Sequence, residues 1–384
     1  MNSKERHEAR YQRRVAKRAA KRLEVANKYA NLLEMFSFDE LYRSYMLCKV
    51  GTNWKASVQR FELNLGPRLA ELVTRLYSGN YYSSGFHEFS INERGKRRDI
   101  KSVCIEERVV QKALTSNCLK PILRRYLIYD NGATLDGRGP HFQIKRLTIH
   151  LQRHYREYGT EGWIYLFDFH NYFGSIPLNV LSSIERVKII IDNVMLYVNR
   201  FIKAFGEIGL GLGSEISQIS AIFYPNELDH YVKDKCRVKG YGRYNDDGYI
   251  ISHSKTRLKK IIAGVKAISK KLGLELNEKK CRIQKVSRAF KFLKTRIKLT
   301  DTGKVHKRVI AKTLTRERRR LKKFKHLLEI DQMTYKQIEG CYKSWRGSIL
   351  KRGVSYKSLK RTDNLFNELF IIPFIAGNYM DFNT

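Results

Sequence analysis

Tyr241-Gly242-Arg243-Tyr244-Asn245-Asp246-Asp247-Gly248-Tyr249-Ile250-Ile251 reads as two short strands joined by Asn-Asp-Asp-Gly. Those residue types close a β-hairpin. By itself the tetrapeptide is an ordinary turn. Its surroundings are less ordinary, because the two acids sit between Tyr-rich and Ile-rich strands and not in a polar loop. Adjacent carboxylates repel each other, and protonation or a divalent cation relieves the repulsion.

Toward the N-terminus, Trp163-Ile164-Tyr165-Leu166-Phe167 has the continuous apolar character of a buried strand and delivers Asp168 at its end. A carboxylate there is costly unless it is paired or bound to a metal. If the two strands are neighbours, Asp168 faces the 246–247 pair, and hard oxygen ligands of this kind suit Mg²⁺. Two such ions can serve phosphoryl transfer, with Asp168 and Asp246 as bridging ligands and Asp247 as a weaker one. Toward the C-terminus, Leu258, Ile261, Ile262, Val265, Ile268 and Leu272 recur at helical spacing, and Gly273 ends the run. Leu274-Glu275-Leu276-Asn277 then reads as a strand. Strand, helix, hairpin, helix, strand is the ferredoxin-like order, which is that of a polymerase palm.

The charge balance points the same way. Among 384 residues, 75 Lys and Arg outweigh 37 Asp and Glu, for a net charge of +38 and a pI near 10.0. Such an excess implies a polyanionic partner. No stretch reaches the roughly 18 apolar residues of a membrane span, and no apolar core follows the basic N-terminus as in a secretory signal. The apolar run 369–376, broken by Pro373, reads as buried packing. Six cysteines, at 48, 104, 118, 236, 281 and 341, form no close pair, which fits neither a zinc ribbon nor a disulfide framework and suggests the cytoplasm.

Four regions are expected. Residues 1–35 form a basic helical arm, free of Pro and Gly, with Arg13, Arg14, Lys17 and Arg18 placed to lie along nucleic acid; the alternative is a solvated helix. Residues 36–160 mix helices and strands as fingers with the start of the palm, the globular body opening near Phe36, Phe38 and Leu41. Residues 161–300 carry the carboxylates. Residues 301–384 are helical and basic: Leu314, Leu321, Phe324 and Leu328 share one face, with Arg316, Arg318, Arg319 and Arg320 between them. A capping box, Thr334 with Gln337, opens a further helix whose face is Tyr335, Ile338, Tyr342, Trp345 and Ile349. Both stripes are read as core packing.

The motifs, in this order and over residues 80–350, resemble those of prokaryotic reverse transcriptases. Tyr244-Asn245-Asp246-Asp247 resembles the YxDD box, and 167–173 the first catalytic block. Residues 273–280 are similar to the G-L-x-L-N-x-x-K block, Phe292-Leu293-Lys294 to the primer grip, and 108–111 and 132–141 to finger motifs. The resemblance implies an α+β right-hand polymerase fold with a ferredoxin-like palm, fingers and a helical thumb. It implies an RNA-directed DNA polymerase, a nucleotidyltransferase using Mg²⁺ (two ions, with Mn²⁺ as a substitute) held by Asp168, Phe169, Asp246 and Asp247. It places Lys96, Arg98, Asn171, Tyr172, Phe173, Leu212, Gly213, Gln218 and Lys280 at the incoming dNTP, with Lys96 and Arg98 otherwise merely a basic hairpin. Phe173 falls where the family's ribose gate sits, so the product is expected to be DNA. Tyr244, Phe292, Leu293, Arg318 and Arg319 would touch the nucleic acid. The implied partners are a cognate non-coding RNA template, cDNA and dNTPs, with a small accessory protein or a second copy of the chain.

One block departs from the family pattern. Where a block opening Gln-Gly and closing Ser-Pro is usual, this chain has Leu212-Gly213-Ser214-Glu215-Ile216-Ser217-Gln218, with Leu212 for the Gln and Gln218 in place of the Pro. That form is similar to the enzymes of diversity-generating retroelements and of unassigned and phage-defence systems. Loss of the amide donor would loosen base selection, so error-prone synthesis is expected. Two other readings compete: template-independent or self-primed DNA synthesis in antiviral defence, and a non-catalytic, maturase-like RNA-binding scaffold. The retained Asp168, Asp246, Asp247 and Phe173 argue against the scaffold.

Overall fold

The computed structural model describes residues 2–93 and 95–371. The side chains of Glu93 and Lys96 lie outside the described residues, and so does 372–384 with the rest of the 369–376 run.

The chain opens with a helix, Ser3–Tyr29, closed at its start by a capping box in which Asn2 and Glu5 satisfy each other's backbone N–H groups. Nearly all of it is exposed up to Glu24. The body begins earlier than expected, because Ala26, Ala30 and Met35 already join Phe36 and Leu41 in burial. Phe38 does not join them and is 43% exposed. Ser37 caps the helix Phe38–Lys49, so Phe38 stands at its first position while Leu41, Tyr45 and Cys48, at helical spacing, turn inward. Strands β1 (Phe86–Glu93) and β2 (Lys96–Val103) then form a two-stranded antiparallel ribbon. The helical run expected over 106–119 is present as Ile105–Leu114 continued by a π-helical turn, Thr115–Leu119.

At the centre lies a four-stranded sheet of β3 (Trp163–Phe167), β4 (Tyr241–Tyr244), β5 (Asp247–Ser252) and β6 (Arg282–Lys285), in the order β4-β5-β3-β6 with every neighbouring pair antiparallel. Helices separate β3 from β4, and the helix Lys255–Lys271 separates β5 from β6, so the ferredoxin-like order holds. One element is displaced from its expected place. The 274–277 segment is not a strand; Leu276 makes only an isolated bridge to Phe169, and the edge strand forms at β6. Gly273, at φ 68, turns the chain out of the helix, Leu274 drops into the core, and a turn at 277–280 intervenes before pairing resumes.

Both faces of the sheet are covered, which is why β3 is apolar throughout. Tyr165, Phe167 and Ile250 pack into the main core on one side. Ile164, Leu166, Tyr249 and Ile251 pack on the other with Leu147, Leu151 and Phe292. Each such fully buried side chain contributes about 1.5–3 kcal/mol. A second sheet follows, with β7 (Phe290–Phe292), β8 (Thr295–Leu299) and β9 (Val305–Val309). The last described part is a helical bundle, Ala311–Glu329, Tyr335–Leu350 and Tyr356–Phe366, and the Thr334–Gln337 capping box forms. The expected leucine stripe splits between two clusters, Leu321 with Ile338 and Tyr342, and Leu314 with Ile349 and Leu359. Among the described residues no helix is long and apolar enough to cross a membrane.

Candidate active site

Strand β3 ends at Phe167 and hands on Asp168, which is 5% exposed. Opposite Phe167 in β5 stands Gly248. A Cβ at Gly248 would lie 2.2 Å from the Phe167 ring, so only glycine lets the strand ends meet this closely. Gly248 therefore belongs to the strand and not to the turn that the sequence suggested. The turn is Asn245 and Asp246 alone, since Tyr244 pairs with Asp247, and Asn245 takes the left-handed φ of 51.

The three carboxylates influence one another. Burial, then the charges of Asp246 and Asp168, pushes Asp247 up to about 7. Burial and the Asp168 charge raise Asp246 as well. A cation answers them: the Lys280 ammonium donates to Asp168 Oδ1 at 2.8 Å and Oδ2 at 2.7 Å. Burial disfavours the charged lysine, but the pairing with Asp168 and the charges of Asp247 and Asp246 outweigh it and raise its pKa. The 277–280 turn sets this lysine in place, anchored by Asn277 N–H on the Asp168 carbonyl at 2.8 Å.

Among the described residues no three His, Cys, Asp or Glu side chains stand as a ready metal-ligand set. The donor chemistry nonetheless fits a hard divalent cation. The donors are oxygens only, burial and then carboxylate repulsion raise the pKa of Asp246 and Asp247, and Asp168 already grips an ammonium with both oxygens. Phe169 could contribute only its main-chain carbonyl, because its side chain is buried and stacked on Tyr172.

Behind the turn lies a pair that the sequence did not reveal. Arg243 and Asp229 both have fully buried side chains. The guanidinium donates to Asp229 at 2.9 and 2.6 Å, to the Asn245 carbonyl at 2.9 Å and to the Ile222 carbonyl at 2.7 Å. Tyr241 Oη donates to the same carboxylate at 2.5 Å. An arginine inside an apolar strand was the available signal, since such a group is rarely buried without a partner.

Of the positions expected at the nucleotide, several converge. Leu210 N–H donates to the Phe173 carbonyl at 2.7 Å, and Lys101 N–H in β2 donates to the Leu212 carbonyl at 3.2 Å. Gly213, at φ 117, passes so close to β2 that a Cβ would lie 3.1 Å from the Lys101 carbonyl oxygen. The 209–213 segment is thus held between Phe173 and the β1–β2 ribbon. Arg98, on that ribbon, acts on Asp246 and lowers its pKa against the effect of burial. Gln218 is exposed and lines a cavity with Gly213, Arg108, Gln111 and Lys112. Asn171 is exposed in a left-handed conformation, φ 42.

Two expected contacts point elsewhere. Tyr172 is buried, its hydroxyl donating to the Ala221 carbonyl, because the short helix Tyr172–Ser175 turns that ring inward. Phe292 is likewise buried, edge-on to Tyr249 with ring centroids 5.3 Å apart. In the following turn Leu293 is half-buried against the same cluster and Lys294 is exposed, at φ 43 and 61. Tyr244 is half-buried; burial raises its pKa and the charge of Arg352 opposes the rise. Arg352, which follows the helix Tyr335–Leu350, thus comes near the turn without any sequence signal. Arg13, Arg14, Lys17 and Arg18 are exposed along the first helix. Arg318 and Arg319 border a groove with Lys322, Arg361 and Asn364.

The family described as reverse transcriptase (RNA-dependent DNA polymerase) matches residues 91–297. No curated protein matches the chain in sequence. The solved structures similar to it include two telomerases. Telomerase from Candida albicans in complex with a TWJ fragment of telomeric RNA has a TM-score of 0.45 and 12% identity, covering 75% of this chain and 59% of that one. Apo telomerase from Candida tropicalis, truncated from its C-terminal domain, has a TM-score of 0.44 and 14% identity, covering 58% and 54%. The chain therefore spans less than two thirds of the length of either.

Proposed function

Because the chain belongs to the reverse transcriptase (RNA-dependent DNA polymerase) family, we propose that it copies a dedicated RNA into DNA at the Asp168, Asp246 and Asp247 cluster. The reading rests chiefly on one observation: β3 and β5 bring Asp168 against Asp246 and Asp247, close enough for their charges to raise the pKa of the last two.

In the reaction a primer 3′-hydroxyl attacks the α-phosphorus of a dNTP, a phosphodiester forms, and the bond to pyrophosphate breaks. Asp168, Asp246, Asp247 and the Phe169 carbonyl would hold Mg²⁺, two ions in all with Mn²⁺ as a substitute, which when bound neutralise phosphate charge and acidify the hydroxyl. Arg98 and the Lys96 side chain would steady the triphosphate. Lys280, which pairs with Asp168, would be free to reach the triphosphate where that carboxylate holds a metal instead. Phe173 excludes a 2′-hydroxyl, and Leu212 leaves the incoming nucleotide without an amide donor, so synthesis is error-prone.

Residues 1–35 act as the basic arm, 36–160 as fingers, 161–300 as palm and 301–384 as thumb. The enzyme would work in the cytoplasm with a cognate non-coding RNA, in a retroelement or in phage defence.

Sequencing the product of primer extension tests this. A DNA strand complementary to the supplied RNA is expected; DNA without an RNA complement would replace the reading with template-independent synthesis.

A further inference from the structure

A second concave site lies at the opposite end of the hairpin from the carboxylates. Its walls are the last turns of the helix Pro140–Tyr158, the 237–240 loop, the end of β5 and the start of the helix Lys255–Lys271. Ser252 stands five residues along β5 from Asp247, which at strand rise is about 17 Å away. The cleft encloses ≈ 140 Å³, below the roughly 300–1,000 Å³ of sites that engulf a whole small molecule, so it has room for a phosphate group and leaves a base at its rim.

Its lining is chemically selective. Arg153, Arg237, Lys239 and Arg257 supply four cationic side chains, against one lining carboxylate, Glu157, which Lys239 already engages at 3.1 Å. Arg257 is steadied by its bond to the Cys236 carbonyl at 2.8 Å, and Arg237 is held at a left-handed φ of 51. At the mouth, Tyr158 and His253 are stacked with ring centroids 4.6 Å apart and planes 15° from parallel. The floor is rigid: His154 is buried and bonded to the Glu161 carbonyl at 2.6 Å, and Gly162 has no room for a Cβ, which would fall 2.5 Å from that imidazole. On a chain of this net charge, basic surface is common. What sets this place apart is the union of a depression, a buried floor, a single self-neutralised acid and an aromatic plate.

Guanidinium groups recognise phosphate with charge-assisted, paired hydrogen bonds, and a stacked ring pair offers a face to a base. We propose that this cleft is a second nucleotide-binding site, taking the phosphate between Arg153 and Arg257 and the base against Tyr158 and His253. The nucleotide is either free or part of a folded RNA, since both present the same phosphate and base.

Photo-crosslinking to the full chain separates the sources, with azido-adenosine monophosphate in one arm and a random-sequence RNA carrying thiouridine in the other. Labelling of peptides containing Tyr158 or His253 by the free nucleotide assigns an effector site; labelling by the RNA alone assigns an RNA contact. In the Arg153→Gln/Arg257→Gln double variant that labelling is expected to fall by about tenfold or more, with primer extension unchanged. Absence of label at both peptides in both arms, or equal labelling of the double variant, overturns the proposal. Because extension is read in the same samples, a failure here is distinct from failure of the polymerase reading.

Discussion

Arg243 and Asp229 form a wholly buried, two-point ion pair, Nη2 to Oδ2 at 2.6 Å and Nε to Oδ1 at 2.9 Å, and the same guanidinium holds the Asn245 carbonyl. The pair fastens the turn bearing Asp246 to the helix Asn226–His230. Breaking a buried pair by removing one partner leaves an uncompensated charge and costs about 3–5 kcal/mol. Asp229→Asn is therefore expected to lower the unfolding free energy by that order, read as a fall in the denaturant midpoint. An unchanged midpoint would show that the pair carries no net stability.

Lys280 competes with any cation for Asp168, because its ammonium contacts both oxygens. Lys280→Ala should lower the Mg²⁺ concentration that half-saturates primer extension and raise the KM for dNTP by about tenfold, the loss of one charge-assisted contact. Separate Mg²⁺ and dNTP titrations at fixed primer-template measure the two. A higher Mg²⁺ requirement in the variant would contradict the competition.

Glu185 gives a pH dependence remote from the carboxylate cluster. It is fully buried in the helix Leu178–Arg186, where burial pushes its carboxyl up to about 7 against a weaker opposing effect of the Ser220 hydroxyl. A carboxyl whose folded pKa is raised keeps its proton while the unfolded chain gives it up. Below the ordinary glutamate range, near pH 4, both states hold the proton and the group makes no difference. Stability then falls as pH rises toward 7, by at most roughly 3 kcal/mol, and levels off above it. Unfolding of Glu185→Gln across pH 5 to 8 should lack this decline. A parallel decline in parent and variant would assign it to another group.

Phe173 is expected to exclude ribonucleotides by its bulk. Phe173→Val should improve the kcat/KM for an rNTP relative to the matching dNTP by about 10–200-fold, the range for steric selection in a pocket. An unaltered ratio would place the sugar elsewhere.

The basic arm should show in salt dependence. Deleting residues 1–25 ought to flatten the log–log slope of RNA affinity against salt by about 0.7 for each single-strand phosphate it neutralises. The same slope with and without the arm would make it a solvated helix.

Much of the architecture was legible because the apolar runs had one reasonable period. Ile164 to Phe167 are buried on both faces and the run could only be an inner strand, so Asp168 was placed correctly at its end. The 274–277 segment misled because its Leu-x-Leu alternation imitates a strand, whereas Leu274 is buried by a turn that the pattern does not encode. Asp229 could not be paired with Arg243 from sequence, since the two lie on different elements and meet only through tertiary packing. The approach of Arg352 to Tyr244 was hidden for the same reason. Tyr172 and Phe292 were assigned outward roles by motif position, which gives residue order but not the direction in which a ring turns.

The central claim is that Asp168 works as one unit with Asp246 and Asp247. Its most direct test is the rate of dNTP incorporation by folded Asp168→Asn on an RNA template, beside the parent. A fall of about 10³-fold or more, the scale of losing an electrostatic catalytic group, with an unfolding midpoint no lower than the parent's, is the expected result. Incorporation at the parent's rate would contradict the account.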